Sequence, residues 1–366
     1  MDIGYGFWGF LADKRPEDSP DGCATYAWAI IYHLLDRDHR VYSLQPNRDQ
    51  EVVGKLGREA FALFETEKRW SAYTNIDATP PQYADQLDAV IWEWRFPISY
   101  RNIGPDHPNP DLDNQLKLLE TLEDSDTQLY ICDFDHKLIL GEEQLLKHRF
   151  KKTPIVLEPS FIPRKTILPR QTFFFPFSAP EPLVISKRQR AEYRELVYVG
   201  SRYERDEAID TYIAPYTEKN PYKTWFYGNW RKYHHQFLDS VRRWPNIQFH
   251  DRVDLERFEW AFGGASASPL LTKDSYAKRG FFGTRAIECM YFGGVLPIGF
   301  RNHQHIDSVL PFNLIADDRD YPLESVMHYI RSLNSDEYAD KLMEVWGKVM
   351  KMHDPETNMD AILNGV

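Results

Sequence analysis

Residues 281–298 read Phe281-Phe282-Gly283-Thr284-Arg285-Ala286-Ile287-Glu288-Cys289-Met290-Tyr291-Phe292-Gly293-Gly294-Val295-Leu296-Pro297-Ile298. Ile287, Met290 and Tyr291 recur at helical spacing, while Arg285 and Glu288 lie one turn apart on another face. The spacing predicts a helix over Thr284–Tyr291, stopped by Gly293-Gly294 and followed by a short apolar strand, Gly294–Ile298. A helix passed through a glycine break into a wholly apolar strand is the building unit of a parallel sheet covered by helices. The same alternation extends upstream. Leu196–Val199 reads as a strand closed by Gly200-Ser201, with a helix beginning over Glu207–Ile213. Thr224–Tyr227 ends in Gly228-Asn229, and Asn246–Phe249 is a further strand. Downstream, Leu323–Leu333 and Tyr338–Met352 are amphipathic.

The first half carries the pattern too. Met1–Phe7 is a short apolar opening, Asp21–Leu35 has apolar residues at helical spacing, and Arg40–Leu44 reads as a strand. Ala89–Trp94, Leu129–Cys132, Thr153–Leu157 and Thr172–Phe175 are further β-rich runs, with a helical stretch near Leu112–Leu122. A proline-rich stretch from Pro159 to Pro182 is the natural interdomain connection. The expected class is therefore α/β, with two doubly wound, Rossmann-like domains facing across a cleft. The boundaries expected are 1–176 and 177–349, with a C-terminal helix at about 350–366 packing back on the first domain.

Composition narrows the class further. The chain has 366 residues, 42% of them apolar, with 19 Gly and 24 Pro, which is neither disordered nor low-complexity. No run approaches the roughly 18 apolar residues of a membrane span. The start of the chain has no basic segment of the kind that opens a secretory signal. Cys23, Cys132 and Cys289 are too few and too scattered for a disulfide framework, so a cytoplasmic setting is expected.

The net charge of −11 is unevenly spread. Residues 1–136 carry 12 Lys and Arg against 25 Asp and Glu, residues 137–252 carry 21 against 13, and residues 253–366 carry 11 against 17. A basic middle third between acidic flanks suits a polyanion-facing surface, although an ordinary solvated face has the same composition.

Four segments bear on chemistry. Gly4, Gly6 and Gly9 match G-x-G-x-x-G, but no strand of useful length precedes them and the next helix starts near Asp21. A loop over the cleft fits that context better than a dinucleotide site. Gly200-Ser201-Arg202-Tyr203-Glu204-Arg205 lies between a strand and a helix, so its backbone N–H groups and two guanidiniums suit phosphate oxygens; a solvent-exposed turn would read alike. Glu288 offers two acceptor oxygens to a ribose diol and Arg285 reaches a diphosphate, unless the two form only a surface ion pair. Asp133-Phe134-Asp135, past the Leu129–Cys132 strand, can supply a general base, hold Mg²⁺ or Mn²⁺ as a D-x-D pair, or cap the following segment. His234-His235 and His303-x-His305 lack a third ligand at metal-binding spacing. Glu93 and Arg95 alternate with Trp92 and Trp94 at a strand end and are candidates for acceptor contacts.

Together these residues resemble the GT-B glycosyltransferases. More specifically the second half resembles the DNA β-glucosyltransferases of T-even bacteriophages, which glucosylate hydroxymethylcytosine in duplex DNA. The matching blocks run in one order: Gly200-Ser201 with its arginines, Phe226-Tyr227-Gly228-Asn229, Asn246–Val253, Tyr276, then Arg285 with Glu288. The resemblance extends into the first half through Leu129–Asp135 and Phe173–Pro176. It implies a GT-B fold and a nucleotide-sugar donor site. Gly200, Ser201 and Arg205, or alternatively Arg202, would contact the donor diphosphate together with Arg285. Glu288 would hold the ribose, and Val253 and Tyr276 would lie near the uracil. Asp133 occupies the position of the family's catalytic base, although the arginine-containing segment that follows that base is replaced here by Phe134-Asp135-His136.

The implied activity is transfer of a sugar from a UDP-sugar to the hydroxymethyl group of a modified pyrimidine in duplex DNA, with inversion if Asp133 is the base. The resemblance leaves a divalent cation, Mg or Mn, open. The acceptor base would leave the stack. Lys147, Arg149, Lys151, Lys152, Arg164, Lys165 and Arg170 are the first candidates to meet DNA phosphates, with Lys187, Arg188 and Arg190 beside them. No membrane partner is expected. Two other functions share the same residues: a GT-B enzyme acting on a bacterial glycan or small molecule, and a non-catalytic DNA-binding module.

Overall fold

A computed structural model describes residues 1–6, 22–44, 77–78, 81–94, 110–182, 194–202, 204–231, 233–253 and 257–363. Gly9, Arg95, Lys187, Arg188, Arg190 and Tyr203 lie outside these residues. The chain forms two compact units, one of Met1–Ser178 with His353–Val366 and the other of Ala179–Met352.

The first unit is a seven-stranded, wholly parallel sheet. Its strands are β1 (Asp2–Gly6), β2 (Arg40–Ser43), β3 (Asp77–Ala78), β4 (Ala89–Glu93), β5 (Gln128–Cys132), β6 (Ile155–Glu158) and β7 (Arg170–Thr172), in the order 3-2-1-4-5-6-7. β4 and β5 are buried along their whole length, as central strands of a parallel sheet covered on both faces must be. The Gly22–Asp36 helix turns Ala27, Ile30, Ile31 and Leu34 inward, each 1% exposed or less, at i, i+3, i+4 and i+7.

Two expectations change in this unit. Gly4 and Gly6 are not in a loop. They lie in β1, and at Gly6 an added Cβ would fall 2.0 Å from the Trp92 ring, so the glycine is what lets that indole lie flat on the strand. The last strand also sits earlier than the aromatic run suggests. β7 is the polar Arg170–Thr172, and Phe173, Phe174 and Phe175 leave the sheet to fill the core, where burying each phenyl ring stabilises by roughly 1.5–3 kcal/mol.

That aromatic segment receives the C-terminal part of the chain. Asn358 Oδ1 accepts from Phe174 N (2.6 Å), His353 O accepts from Phe177 N (2.9 Å), and His353 Nδ1 lies 2.6 Å from Phe175 O. The Pro355–Leu363 helix then buries Met359 and Ile362 in the first unit.

The second unit repeats the design with six parallel strands: β8 (Leu196–Val199), β9 (Thr224–Tyr227), β10 (Ile247–His250), β11 (Ala267–Pro269), β12 (Leu296–Phe300) and β13 (Ile315–Ala316), in the order 10-9-8-11-12-13. Val199 is level with Tyr227, and Tyr227 with His250, so the carboxyl ends of β8, β9 and β10 form one edge. In both units the strand order reverses once, between β1 and β4 and between β8 and β11. At such a reversal the loops leaving neighbouring strands diverge and open a crevice for ligands.

Candidate functional site

In the second unit the predicted donor residues gather around the reversal between β8 and β11. The apolar LVYV run makes β8 a buried strand, and the chain leaves it at Gly200, where a Cβ would fall 2.3 Å from the Tyr198 hydroxyl. Gly228, at the end of β9, has φ +149°, and a Cβ there would fall 2.2 Å from Gly200 O. Gly200 N donates to Tyr227 O (2.8 Å), and the Trp230 indole N–H donates to Gly200 O (2.8 Å). Two glycines at facing strand ends therefore let the two loops lie backbone to backbone, with Ser201 half-buried at the rim.

Arg205 closes the same crevice from the other side, its Nε donating to Leu271 O (3.2 Å) just past β11. Lys273 Nζ lies 3.6 Å from a Glu204 carboxylate oxygen and 4.7 Å above the Tyr276 ring. Asp274 hydrogen-bonds Glu207. Burial and that shared proton push its carboxyl up to about 6. Three side-chain links, from 204, 205 and 207 to 273, 271 and 274, thus join the loop after β8 to the loop after β11. The helix that begins at Asp206 carries Asp206 and Glu207 in its first turn, so the positive charge offered to an anion comes from Arg205 and Lys273, with two acids next to them.

Arg285 and Glu288 stand at the start of the Arg285–Tyr291 helix. Glu288 is nearly buried. One carboxylate oxygen accepts from Thr284 Oγ1 (2.6 Å) and the other from Arg285 Nη1. The pair has the i, i+3 spacing of a common surface bridge, but only Glu288 is buried; the Arg285 side chain is 39% exposed and its guanidinium interacts with Tyr198 beneath Gly200. Gly200, Ser201, Arg205, Tyr276, Arg285 and Glu288 are thereby brought to one end of the sheet. Val253 follows β10 on the same edge.

Arg202 points elsewhere. It donates to both oxygens of Asp206 (3.0 and 2.7 Å), to Gln236 O (3.2 Å) and to Ser240 Oγ (3.0 Å), and it pairs with Asp239 (2.6 Å). It also lies 5.1 Å from the Trp244 ring centre. The Asp206 hydrogen bonds hold its guanidinium above the usual arginine range. Arg202 is a clamp between the loop and the His234–Arg243 helix, beside an open cavity of about 950 Å³ that reaches Ser201, Asn229 and Tyr233.

In the first unit Asp133 leaves β5 next to Glu93, the last residue of β4. It is 0% exposed. Its Oδ1 accepts from Lys137 N (2.6 Å) and Leu138 N (3.2 Å), capping the following loop, while Oδ2 accepts from Arg164 Nη2 (2.6 Å) and lies 3.5 Å from Arg170 Nη1. Around it Arg170 also pairs with Glu143 and Glu158, Arg164 pairs with Glu158 (3.3 Å), and His136, with φ +53°, places Nδ1 2.9 Å from Glu158. Burial alone would raise the Glu158 carboxyl, but His136, Arg164 and Arg170 hold it down to about 2.

This cluster divides the predicted phosphate-binding cations. Arg170 is buried, its side chain 1% exposed, and serves the carboxylates rather than the surface. Arg164 is directed inward as well. Arg149 pairs with Glu123 and Lys151 with Asp126 (2.7 Å). Lys147, Lys151, Lys152 and Lys165 are exposed. Sequence reasoning did not find Glu143, Glu158 or the Leu140–Arg149 helix, because the partners of the arginines lie 12 to 37 residues away.

Among the described residues no group of three His, Cys, Asp or Glu is placed to hold a metal ion, and no helix is long and apolar enough to cross a membrane. His303 is buried, with its ring nitrogens against the carbonyls of Phe281 and Gln304.

No protein-family model matches the chain, and no curated protein matches it either. Solved structures do. T4 phage beta-glucosyltransferase in complex with UDP and Mn²⁺ aligns with a TM-score of 0.64 at 12% identity, over 99% of this chain and 98% of that one. A glycosyltransferase from Rickettsia africae ESF-5 aligns with a TM-score of 0.57 at 10% identity, over 99% and 97%. An O-GlcNAc transferase from Thermobaculum terrenum gives 0.52 at 11% identity, over 99% of this chain and 66% of that chain. At these identities the likeness is one of fold. The chain has the GT-B fold, with two Rossmann-like units built on parallel sheets.

Proposed function

We propose that the protein is a UDP-sugar-dependent glycosyltransferase that glycosylates the hydroxymethyl group of a modified pyrimidine in duplex DNA. The observation that carries the enzyme reading is the meeting of Gly200-Ser201, Arg205, Arg285 and Glu288 at the β8/β11 reversal of a GT-B fold. Support for a DNA acceptor comes from the exposed Lys147, Lys151, Lys152 and Lys165 in the unit that bears Asp133, and from the T4 phage neighbour, which is described as a DNA modifying enzyme.

The chemistry follows from charge placement. Arg205 and Arg285 offset the negative charge that grows on the departing diphosphate, and fixed cations of this kind need no reorganisation as the bond breaks. Glu288, already oriented by Thr284 and Arg285, accepts from the ribose hydroxyls. Tyr276 and Val253 flank the uracil. Arg202 stays with Asp206 and Asp239 and shapes the loop rather than touching donor. Asp133 acts as the base once Arg164 Nη2 gives up Oδ2, and would contribute roughly 10²–10⁴-fold. Attack of the acceptor oxygen opposite the diphosphate inverts the anomeric carbon. The described residues offer no cluster for Mg²⁺ or Mn²⁺, so no step is assigned to a protein-held metal.

The test offers a panel of UDP-sugars with duplexes carrying cytosine, hydroxymethylcytosine or hydroxymethyluracil, and reads UDP release and nucleoside mass. Sugar mass on a hydroxymethylated base only, lost in Asp133→Asn protein that still folds and binds UDP, is the expected result. UDP release without transfer to any duplex would redirect the acceptor to a glycan or small molecule. Nucleic-acid binding without UDP-sugar binding would favour the non-catalytic module.

A further inference from the structure

The Leu140–Arg149 helix is built inside out. Its acidic residues Glu142 and Glu143 face inward and are 3% and 1% exposed, whereas Leu140 and Leu145 are 57% and 62% exposed and Ile139, just before the helix, is 49% exposed. The inward turn has a cause: Glu143 accepts from Arg170, Ile167 N and Leu168 N, and Glu142 accepts from Ile139 N (3.4 Å). Leu146 alone supplies an apolar contact to the core. The solvent face is left with Leu140, Gln144, Leu145, Lys147 and His148, without a carboxylate, and Lys151 and Lys152 follow. With its glutamates turned inward, the helix presents leucines flanked by lysines, a face that suits a partner apolar at one point and anionic around it.

The position of the ridge says what that partner is. Asp133 Oδ1 holds the amides of Lys137 and Leu138, so Ile139 and Leu140 are the next side chains after a turn pinned on the proposed base. With Asp133 as the base, an acceptor approaching it passes these residues. A pyrimidine cannot reach a base buried at a strand end while it is stacked; it must be extruded, which leaves a gap in the duplex and costs a few kcal/mol of stacking. Apolar side chains inserted between base steps offset that cost, and flanking cations hold the phosphates.

We infer that Ile139 and Leu140 form a wedge that enters the duplex where the target pyrimidine is extruded, with Lys147 and Lys152 on the adjoining phosphates. The inference rests on the duplex-DNA acceptor proposed above and adds the residues that open the stack.

The experiment compares the full-length protein with Ile139→Ala/Leu140→Ala, using one hydroxymethylcytosine oligonucleotide as a duplex and as a single strand, with 2-aminopurine beside the target. The double variant is expected to lose about tenfold or more in kcat/KM on the duplex, the equivalent of one unstacked step, and to keep single-strand transfer within about twofold. The 2-aminopurine fluorescence rise on duplex binding should vanish with it, and Leu140→Met should restore both. Equal loss on both substrates, or full duplex activity, overturns the wedge. So does attachment to phosphatidylglycerol vesicles that depends on the same two residues, which would assign the ridge to a membrane. Failure of the wild type to modify either oligonucleotide removes the acceptor reading itself, and the wedge with it.

Discussion

Arg205 donates from Nε to the carbonyl oxygen of Leu271 at 3.2 Å, tying the loop after β8 to the loop after β11 at the point where the strand order of the second unit reverses. The arginine is thereby aimed across the crevice, while Arg202, three residues earlier, is spent on Asp206 and Asp239. The two should fail differently. Arg205→Ala is expected to weaken UDP binding by about tenfold or more, the loss of a charge-assisted hydrogen bond, with little change in melting temperature. Arg202→Ala should lower the melting temperature and leave UDP binding of the folded fraction near wild type. Calorimetric titration beside thermal melts separates them, and matching losses of UDP affinity would refute the division of roles.

Gly228 tolerates no side chain, since its φ is +149° and a Cβ would lie 2.2 Å from Gly200 O. Gly228→Ala should cost a few kcal/mol, about 1–3 from the backbone alone, and displace Ser201. Urea denaturation and UDP titration should both move; an unaltered UDP affinity would show that the facing loops are not coupled.

Arg170 is the centre of the buried ion cluster. Arg170→Ala leaves Asp133, Glu143 and Glu158 short of a partner and should destabilise by about 3–5 kcal/mol. Lys147→Ala/Lys152→Ala should leave stability unchanged but lower duplex affinity and flatten its salt dependence, by about one unit of log-log slope for each phosphate no longer neutralised. Duplex binding at several salt concentrations, alongside denaturant midpoints, tests the contrast. A salt slope insensitive to the lysines would place the DNA elsewhere.

Partial burial, together with the hydrogen bond and negative charge of Glu207, pushes the Asp274 carboxyl up to about 6. Its folded pKa lies above the ordinary value of 3.8, so the associated stability is complete below about pH 3.8 and is lost as pH rises through 6. The same deprotonation sets a second negative charge beside Glu207, between the two loops that Arg205 ties together. UDP affinity is therefore expected to fall from pH 5 to pH 7.5 with a step near 6, and the step should be missing in Asp274→Asn. A pH profile identical in the variant would rule the pair out as its origin.

His33 and His353, in the first unit, are both held neutral by burial and lowered to about 4, with Arg37 adding to the effect at His33. Here the folded pKa lies below the unfolded value of 6.5, so their contribution is complete above pH 6.5 and fades as pH falls to 4. Each accounts for roughly 3 kcal/mol over that window. Melting temperature should drop between pH 6.5 and 4, and the drop should be shallower in His353→Gln. An equally steep drop would show that other groups drive it.

Much of the framework could be read from apolar runs: LVYV, TWFY, AVIWE and LYIC all are strands, because a central strand of a parallel sheet must be apolar throughout. What escaped had weak or misleading chemistry. β11 is Ala-Ser-Pro, and β3 and β13 are two residues each. Arg170–Thr172 is polar because an edge strand can point an arginine into a carboxylate cluster, while the neighbouring phenylalanines read as a strand and are core instead. The Leu140–Arg149 helix carried no amphipathic signal, since its two glutamates face inward while Leu140 and Leu145 face out. Within the site, residue types and order were legible at Arg285 and Glu288. Which of Arg202 and Arg205 faces the crevice depended on Asp239 and Leu271, 37 and 66 residues away.

The return of His353–Val366 to the first unit sets an order of assembly. Ribosomes make the chain from its N-terminus, and every residue of the second unit, through Met352, is synthesised before the segment that supplies His353, Asn358 and Met359 to the first. The second unit can close during translation while the first waits with Phe173, Phe174 and Phe175 uncovered. A nascent chain stalled before residue 353 would present that aromatic strip to chaperones, and proteolytic clipping near residue 353 would loosen the unit that begins at Met1.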